Sequence, residues 1–139
     1  MELLKLSEIH FLNDDLLYIE ELLALSFPED ERRPFHKIRT LLLETPHFHI
    51  MLLTQHGKRV GLLNWWELNR FNYCEHFAIS PAARCKGIGS AVLGIMKSWG
   101  PLILEAEPPL NELARRRVEF YKRQGLLPWH KQPLISIQY

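Results

Sequence analysis

Apolar positions in the first third of the chain recur at helical spacing. Asn13-Asp14-Asp15 offers an N-cap and an acidic first turn, and Leu16, Ile19, Leu23 and Phe27 follow on one stripe. Pro28 ends that helix. Pro34 suits the first turn of the next, where Phe35, Ile38, Leu41 and Leu42 repeat the pattern up to Thr45-Pro46. The pattern then becomes strand-like. Residues 49–54 and 59–68 are apolar, β-branched or aromatic runs, and the Gln55-His56-Gly57-Lys58 turn between them predicts a hairpin. Trp65 and Trp66 fall on opposite faces of the second strand, which predicts a sheet covered on both sides. Leu3-Leu4-Lys5-Leu6 predicts a short strand ahead of the first helix.

Residues 73–79 read as the central strand, with Tyr73, Glu75, Phe77 and Ile79 on one face and Cys74, His76 and Ala78 on the other. A short loop leads into a helix whose stripe is Ile88, Ala91, Val92, Ile95 and Trp99, stopped by Gly100-Pro101. Residues 102–107 form the next strand, and strand–helix–strand of this length implies a right-handed parallel crossover. After Pro108-Pro109 comes a last helix over residues 110–124, with Leu110, Leu113, Ala114, Val118 and Tyr121 inward and Gly125 as its stop. Residues 134–139 alternate weakly as a final strand. The fold class is α/β, a mixed central sheet with flanking helices.

Composition narrows the function classes. A chain of 139 residues that is 47% hydrophobic and 24% charged is expected to form one domain, residues 1–139, around a sizeable core. A formal net charge of +1 gives no global case for nucleic acid or an anionic membrane. The most apolar stretch, residues 87–104, is broken by Lys97 and Gly100-Pro101, so no membrane span is expected. The two cysteines, Cys74 and Cys85, make no disulfide framework, and the N-terminus lacks a signal-peptide layout. A reduced, cytoplasmic protein is expected. Cys74 and His76 alternate on one strand without a second ligand pair, so no metal is expected.

The chemistry concentrates in Arg84-Cys85-Lys86-Gly87-Ile88-Gly89, between the central strand and its helix. Glycines at a helix N-terminus expose backbone N–H groups to the positive end of the helix dipole, a receptacle for phosphate or pyrophosphate. The loop is neither a Walker P-loop nor the dinucleotide fingerprint, since Val92 stands where a third glycine belongs. It resembles the acyl-CoA signature of the GNAT acetyltransferase superfamily: Arg or Gln, two residues, Gly, one residue, then Gly or Ala. Downstream, Phe120-Tyr121-Lys122-Arg123-Gln124-Gly125-Leu126 is similar to that family's second signature, a Phe-Tyr pair followed after three residues by Gly-Phe, with leucine in the last place.

The resemblance implies a central pair of parallel strands splayed apart to admit the pantetheine arm of CoA. It implies that the loop amides of Cys85, Lys86, Gly87, Ile88, Gly89 and Ser90, with Arg84, cradle the pyrophosphate of acetyl-CoA, and that the backbone of Phe77, Ala78 and Ile79 pairs with the pantetheine. Tyr121 is then the general acid that protonates the departing thiolate. Glu75 lies where the family often places the base for the amine, acting directly or through a water, with Glu105 and Glu107 as rivals. The acceptor is expected to be a small-molecule or peptide amine, and a homodimer stays open. Two departures keep a second reading alive, an acyl-CoA-binding module without transferase activity: Ala114 replaces an asparagine common seven residues before the tyrosine, and the tail is short. The basic face Arg115-Arg116-Arg117 with Lys122-Arg123 reads as solvated, with the CoA 3′-phosphate as its functional alternative. The charged link over residues 26–33 reads as a solvated loop, or else as the lip of a binding site.

Overall fold

The expected hairpin forms the middle of the sheet. Strands β2 (Phe48–Gln55) and β3 (Lys58–Glu67) pair antiparallel across a tight turn in which His56 and Gly57 have φ of 52° and 77°, the left-handed pair that matches strand twist. The structure is a computed structural model that describes residues 4–105, 110–128 and 134–136. Strand β1 (Leu4–Glu8) flanks β2, and β4 (Asn72–Ile79) flanks β3. Beyond β4 lie β5 (Leu102–Leu104), β7 (Leu134–Ser136) and β6 (Leu127–Pro128), giving the order β1-β2-β3-β4-β5-β7-β6 among the described residues. Among the described residues only β4 and β5 pair in parallel.

Helices cover both faces. Helix α1 (Asp14–Ser26) starts where Asn13 Oδ1 accepts the Leu16 amide at 3.0 Å, and α2 (Phe35–Glu44) starts after Pro34. Both pack on Ile50, Leu52 and Leu62 through Ile19, Leu23 and Ile38, all buried. The two helices are also tied by Arg39, whose Nε and Nη2 each donate to the buried Glu20 carboxylate at 2.7 Å. On the opposite face, α3 (Ile88–Ser98) and α4 (Glu112–Arg123) cover Leu53, Leu63 and Leu102. Trp65 and Trp66 divide between the two cores, as their alternation requires. Among the described residues no helix is long and apolar enough to cross a membrane.

The sequence stripes of α3 and α4 need rotating. The buried residues of α3 are Ile88, Val92, Leu93 and Met96, whereas Ile95 and Trp99 are exposed at 36% and 38%. Apolar residues ring almost the whole of this helix, so periodicity alone could not phase it. Trp99 instead stacks on Trp65 at 4.9 Å, outside the main core. On α4, Ala114 is buried but Leu113 is exposed, as is Leu110 ahead of the helix.

Strand β4 carries the irregularity that matters for function. Asn64 pairs with His76 and Trp65 with Cys74, so Glu75 has no partner on β3 and forms a bulge. Cys74, Phe77 and Ile79 therefore pack with α3 and α4, while Ala78 packs with α1 and α2. The uniform alternation expected over residues 73–79 is wrong for this reason, and Cys74 and His76 do not share a face. The parallel ladder to β5 ends at the same point, covering only Asn72, Tyr73 and Cys74 opposite Leu102, Ile103 and Leu104. Past Cys74, β4 runs on to Ile79 beyond the end of β5, with no described ladder partner on that side. Strand β5 is shorter than expected, leaving Glu105 after its end; Glu107 lies outside the described residues.

Candidate active site

A cavity of about 540 Å³ lies between the end of β4, the loop after it, α3 and α4. Phe77, Ala78 and Ile79 form one wall. At the next, Arg84 Nε donates to the Ile79 carbonyl at 3.0 Å and folds the loop back against the strand end. Cys85 and Gly87 have φ of 63° and 79°, so the loop turns through left-handed backbone twice before the helix begins. Gly87 tolerates this conformation without a Cβ penalty. No side chain caps α3, and its backbone ladder starts with the Ala91 amide on the Gly87 carbonyl at 3.1 Å. The first-turn amides of Ile88, Gly89 and Ser90 thus have no intrahelical acceptor, and all three residues line the cavity.

Four arginines, Arg84, Arg116, Arg117 and Arg123, also line it, and among the described residues no carboxylate does. That is a setting for a polyanion. Of the residues singled out by sequence, Phe77, Ala78, Ile79, Arg84, Cys85, Gly87, Ile88, Gly89, Ser90 and Tyr121 are brought together here; Lys86 is exposed on the loop outside the lining. Sequence reading set Arg116, Arg117 and Arg123 down as a solvated face with the CoA 3′-phosphate as its functional alternative, and it did not name Ser26 or Phe120 among the donor-site residues. The signal was present: residues 113, 116, 117, 120 and 123 lie on one helical stripe with Tyr121 beside it.

Tyr121 is packed with Phe77 and Phe120. Burial pushes its phenol well above the ordinary range, nearby Cys74 adds to this, and Arg117 opposes it. The hydroxyl therefore keeps a transferable proton at every ordinary working pH. Cys74 is itself buried, which raises its thiol far out of the nucleophilic range, with Glu75 adding to the effect. Arg117 reaches across to α1, its Nη2 donating to the Ser26 carbonyl at 3.4 Å and its guanidinium lying 5.7 Å over the Phe27 ring. Of the link over residues 26–33, only Ser26 lines the cavity.

The bulge turns Glu75 away from the cavity lining, toward α2. Arg33 grips it with both arms of its guanidinium, Nη2 to Oε1 at 2.5 Å and Nε to Oε2 at 3.1 Å. Trp66 Nε1 approaches Oε1 at 3.4 Å, and the carboxylate is 10% exposed. Tyr73 has its phenol raised by burial and then by the charges of Glu105 and Glu75. Glu105 itself is exposed.

His76 is buried beside Glu75, its Nε2 3.8 Å from Oε2 and its ring 5.0 Å from that of Phe27. Burial lowers its pKa; Glu75 opposes this, and Arg33 and Arg32 add to it. An unfolded histidine takes up its proton near pH ~6.5, so the folded state, which resists that proton, is favoured above this value and loses the advantage as pH falls through the lower folded pKa. The thermal midpoint is expected to drop between pH 7 and pH 5, and to drop less in His76→Gln; parallel melts at the two pH values check this.

Among the described residues no group of three or more His, Cys, Asp or Glu side chains is placed to hold a metal ion. Comparison with curated proteins gives no match. Among solved structures, a protein assigned to the GNAT acetyltransferase family from Bacteroides thetaiotaomicron superposes with a TM-score of 0.85 at 28% identity, covering 97% of this chain and 88% of its own. An Arabidopsis thaliana protein in complex with the bisubstrate analogue CoA-Ac-MVNAL has a TM-score of 0.68 at 16% identity, covering 91% and 85%. A spermidine N-acetyltransferase chimera from Vibrio cholerae and hSSAT has a TM-score of 0.68 at 17% identity, covering 92% and 82%. The last two show the shared fold. The sequence itself matches the model of the Acetyltransferase (GNAT) family over residues 16–126, and this chain belongs to that family.

Proposed function

We propose that the chain, acting as one domain, transfers an acetyl group from acetyl-CoA to a primary amine, which attacks the thioester directly in a ternary complex. One observation carries this reading. Among the described residues, a cavity lined by arginines and no carboxylate runs from unspent helix-terminal amides, past the end of β4, to a phenol that keeps its proton. The residues fit acetyl-CoA: the amides from Cys85 to Ser90 and the lining arginines suit its phosphates, and the Phe77 to Ile79 backbone suits its pantetheine amides. The co-substrate supplies an activated acyl group. Tyr121 protonates the sulfur as the C–S bond breaks. Glu75, held in place by Arg33, retains lone pairs for a water that takes the amine proton. The neighbours named above include one solved with a CoA–peptide analogue and one that acetylates spermidine, so the acceptor is drawn from peptide or small-molecule amines.

Calorimetric titration with acetyl-CoA tests the donor half; one site per chain is expected, and a null titration would remove the reading. For the base, Glu75→Gln is expected to lower kcat/KM for the amine about a hundredfold, and Glu105→Gln by less than about threefold. Thermal midpoints recorded alongside would separate this from loss of the Arg33 pair. The reverse order would move the role to Glu105, whose charge acts on Tyr73.

A further inference from the structure

Both ends of α3 grip one residue at the end of α4. Gln124 Nε2 donates to Ser90 Oγ at 3.0 Å, and Lys97 Nζ donates to the Gln124 carbonyl at 2.5 Å. Beside them Phe120 presses on Gly89, where a Cβ would stand 3.1 Å from its Cζ. Ser90 lines the cavity, but Gln124 is outside its lining.

The direction of the first bond has a consequence. A side-chain amide nitrogen only donates, so Ser90 Oγ is the acceptor and its single hydrogen is left for another partner. Ser90 stands in the first turn of α3, beside amides that have no intrahelical acceptor. Its hydrogen can join that set of donors. Without Gln124 the hydroxyl would rotate freely, and presenting a hydrogen to an anion would carry an ordering cost.

We propose that Gln124 is a positioning residue that fixes the Ser90 hydroxyl as a donor to the pyrophosphate of the acyl-CoA. The assignment rests on the acyl-CoA reading above. Nothing in the cavity lining itself reveals it, because Gln124 acts from outside through one hydrogen bond. Lys97 completes the arrangement by holding the Gln124 backbone, so the side chain leaves α4 from a fixed point.

The test is a double-mutant cycle of Gln124→Met, which keeps length but removes the donor, with Ser90→Ala, read as CoA affinity by calorimetry. Each single variant is expected to weaken CoA about tenfold, the scale of one hydrogen bond to a charged group, and the double variant no further than Ser90→Ala alone. A second readout separates positioning from packing. Gln124→Met should raise the ratio of KM for acetyl-CoA to KM for S-acetylpantetheine, which lacks the pyrophosphate, about tenfold. Additive losses in the cycle, or an unchanged KM ratio, would overturn the role of Gln124 while leaving CoA binding intact. A wild-type protein that binds no CoA would instead sink the acyl-CoA reading, and this inference with it.

Discussion

Replacing Tyr121 by phenylalanine should lower turnover about a hundredfold or more, while acetyl-CoA affinity stays within about twofold. The side chain sits among Phe77 and Phe120, so phenylalanine keeps the packing and removes only the hydroxyl. Burial holds the phenol above its ordinary range, which makes it a proton donor rather than a base at neutral pH. For the same reason Tyr121 should contribute no alkaline limb to the rate profile below about pH 10, where a free phenol would begin to ionise. Steady-state kinetics with calorimetry on the two proteins checks both statements. Equal turnover would remove Tyr121 from the chemistry.

The second large effect concerns the wall of the cavity rather than its chemistry. Gly61 of β3 lies against β4 so closely that a Cβ would stand 2.5 Å from the Ala78 carbonyl oxygen, with Leu53 Cδ1 at 3.0 Å and Ile79 Cδ1 at 3.1 Å. Side-chain ends can move aside, but the carbonyl belongs to the backbone of the bulged strand. Gly61→Ala should therefore cost about 3 kcal/mol, the upper range for overpacking. In a domain of this size that lowers the thermal midpoint by about 10 °C. Because Ala78 and Ile79 line the cavity, weaker acetyl-CoA binding should accompany the loss. A melting curve that matches wild type would show that β4 can shift freely, and would weaken the picture of a fixed strand edge.

The element order was legible because its signals are local. Asn13 caps through its own side chain, while Pro34, the His56-Gly57 turn and Gly125 act through their own backbone, and all four stand where the sequence placed them. The donor loop was legible for a related reason: Gly87 has the left-handed φ that its residue type suggests, and Gly89 leaves room for Phe120, whose Cζ would stand 3.1 Å from a Cβ there. The bulge at Glu75 was not. It depends on the register between β3 and β4, a non-local choice that no two-residue period records, and it moved Glu75 from beside Phe77 to the Arg33 side. The arginines of α4 stayed open between a solvated face and a phosphate contact because a charged stripe looks alike whether it faces water or a cavity built by distant elements.

The central claim is acetyl transfer to an amine, and amine-dependent release of free thiol from acetyl-CoA tests it most directly. With a panel of polyamines, amino acids, aminoglycosides and peptide N-termini, the account predicts thiol release that needs one of these amines and falls at least tenfold in Tyr121→Phe. Acetyl-CoA that binds the protein yet yields no thiol with any member of the panel would contradict it, and would identify the chain as an acyl-CoA-binding domain without transferase activity.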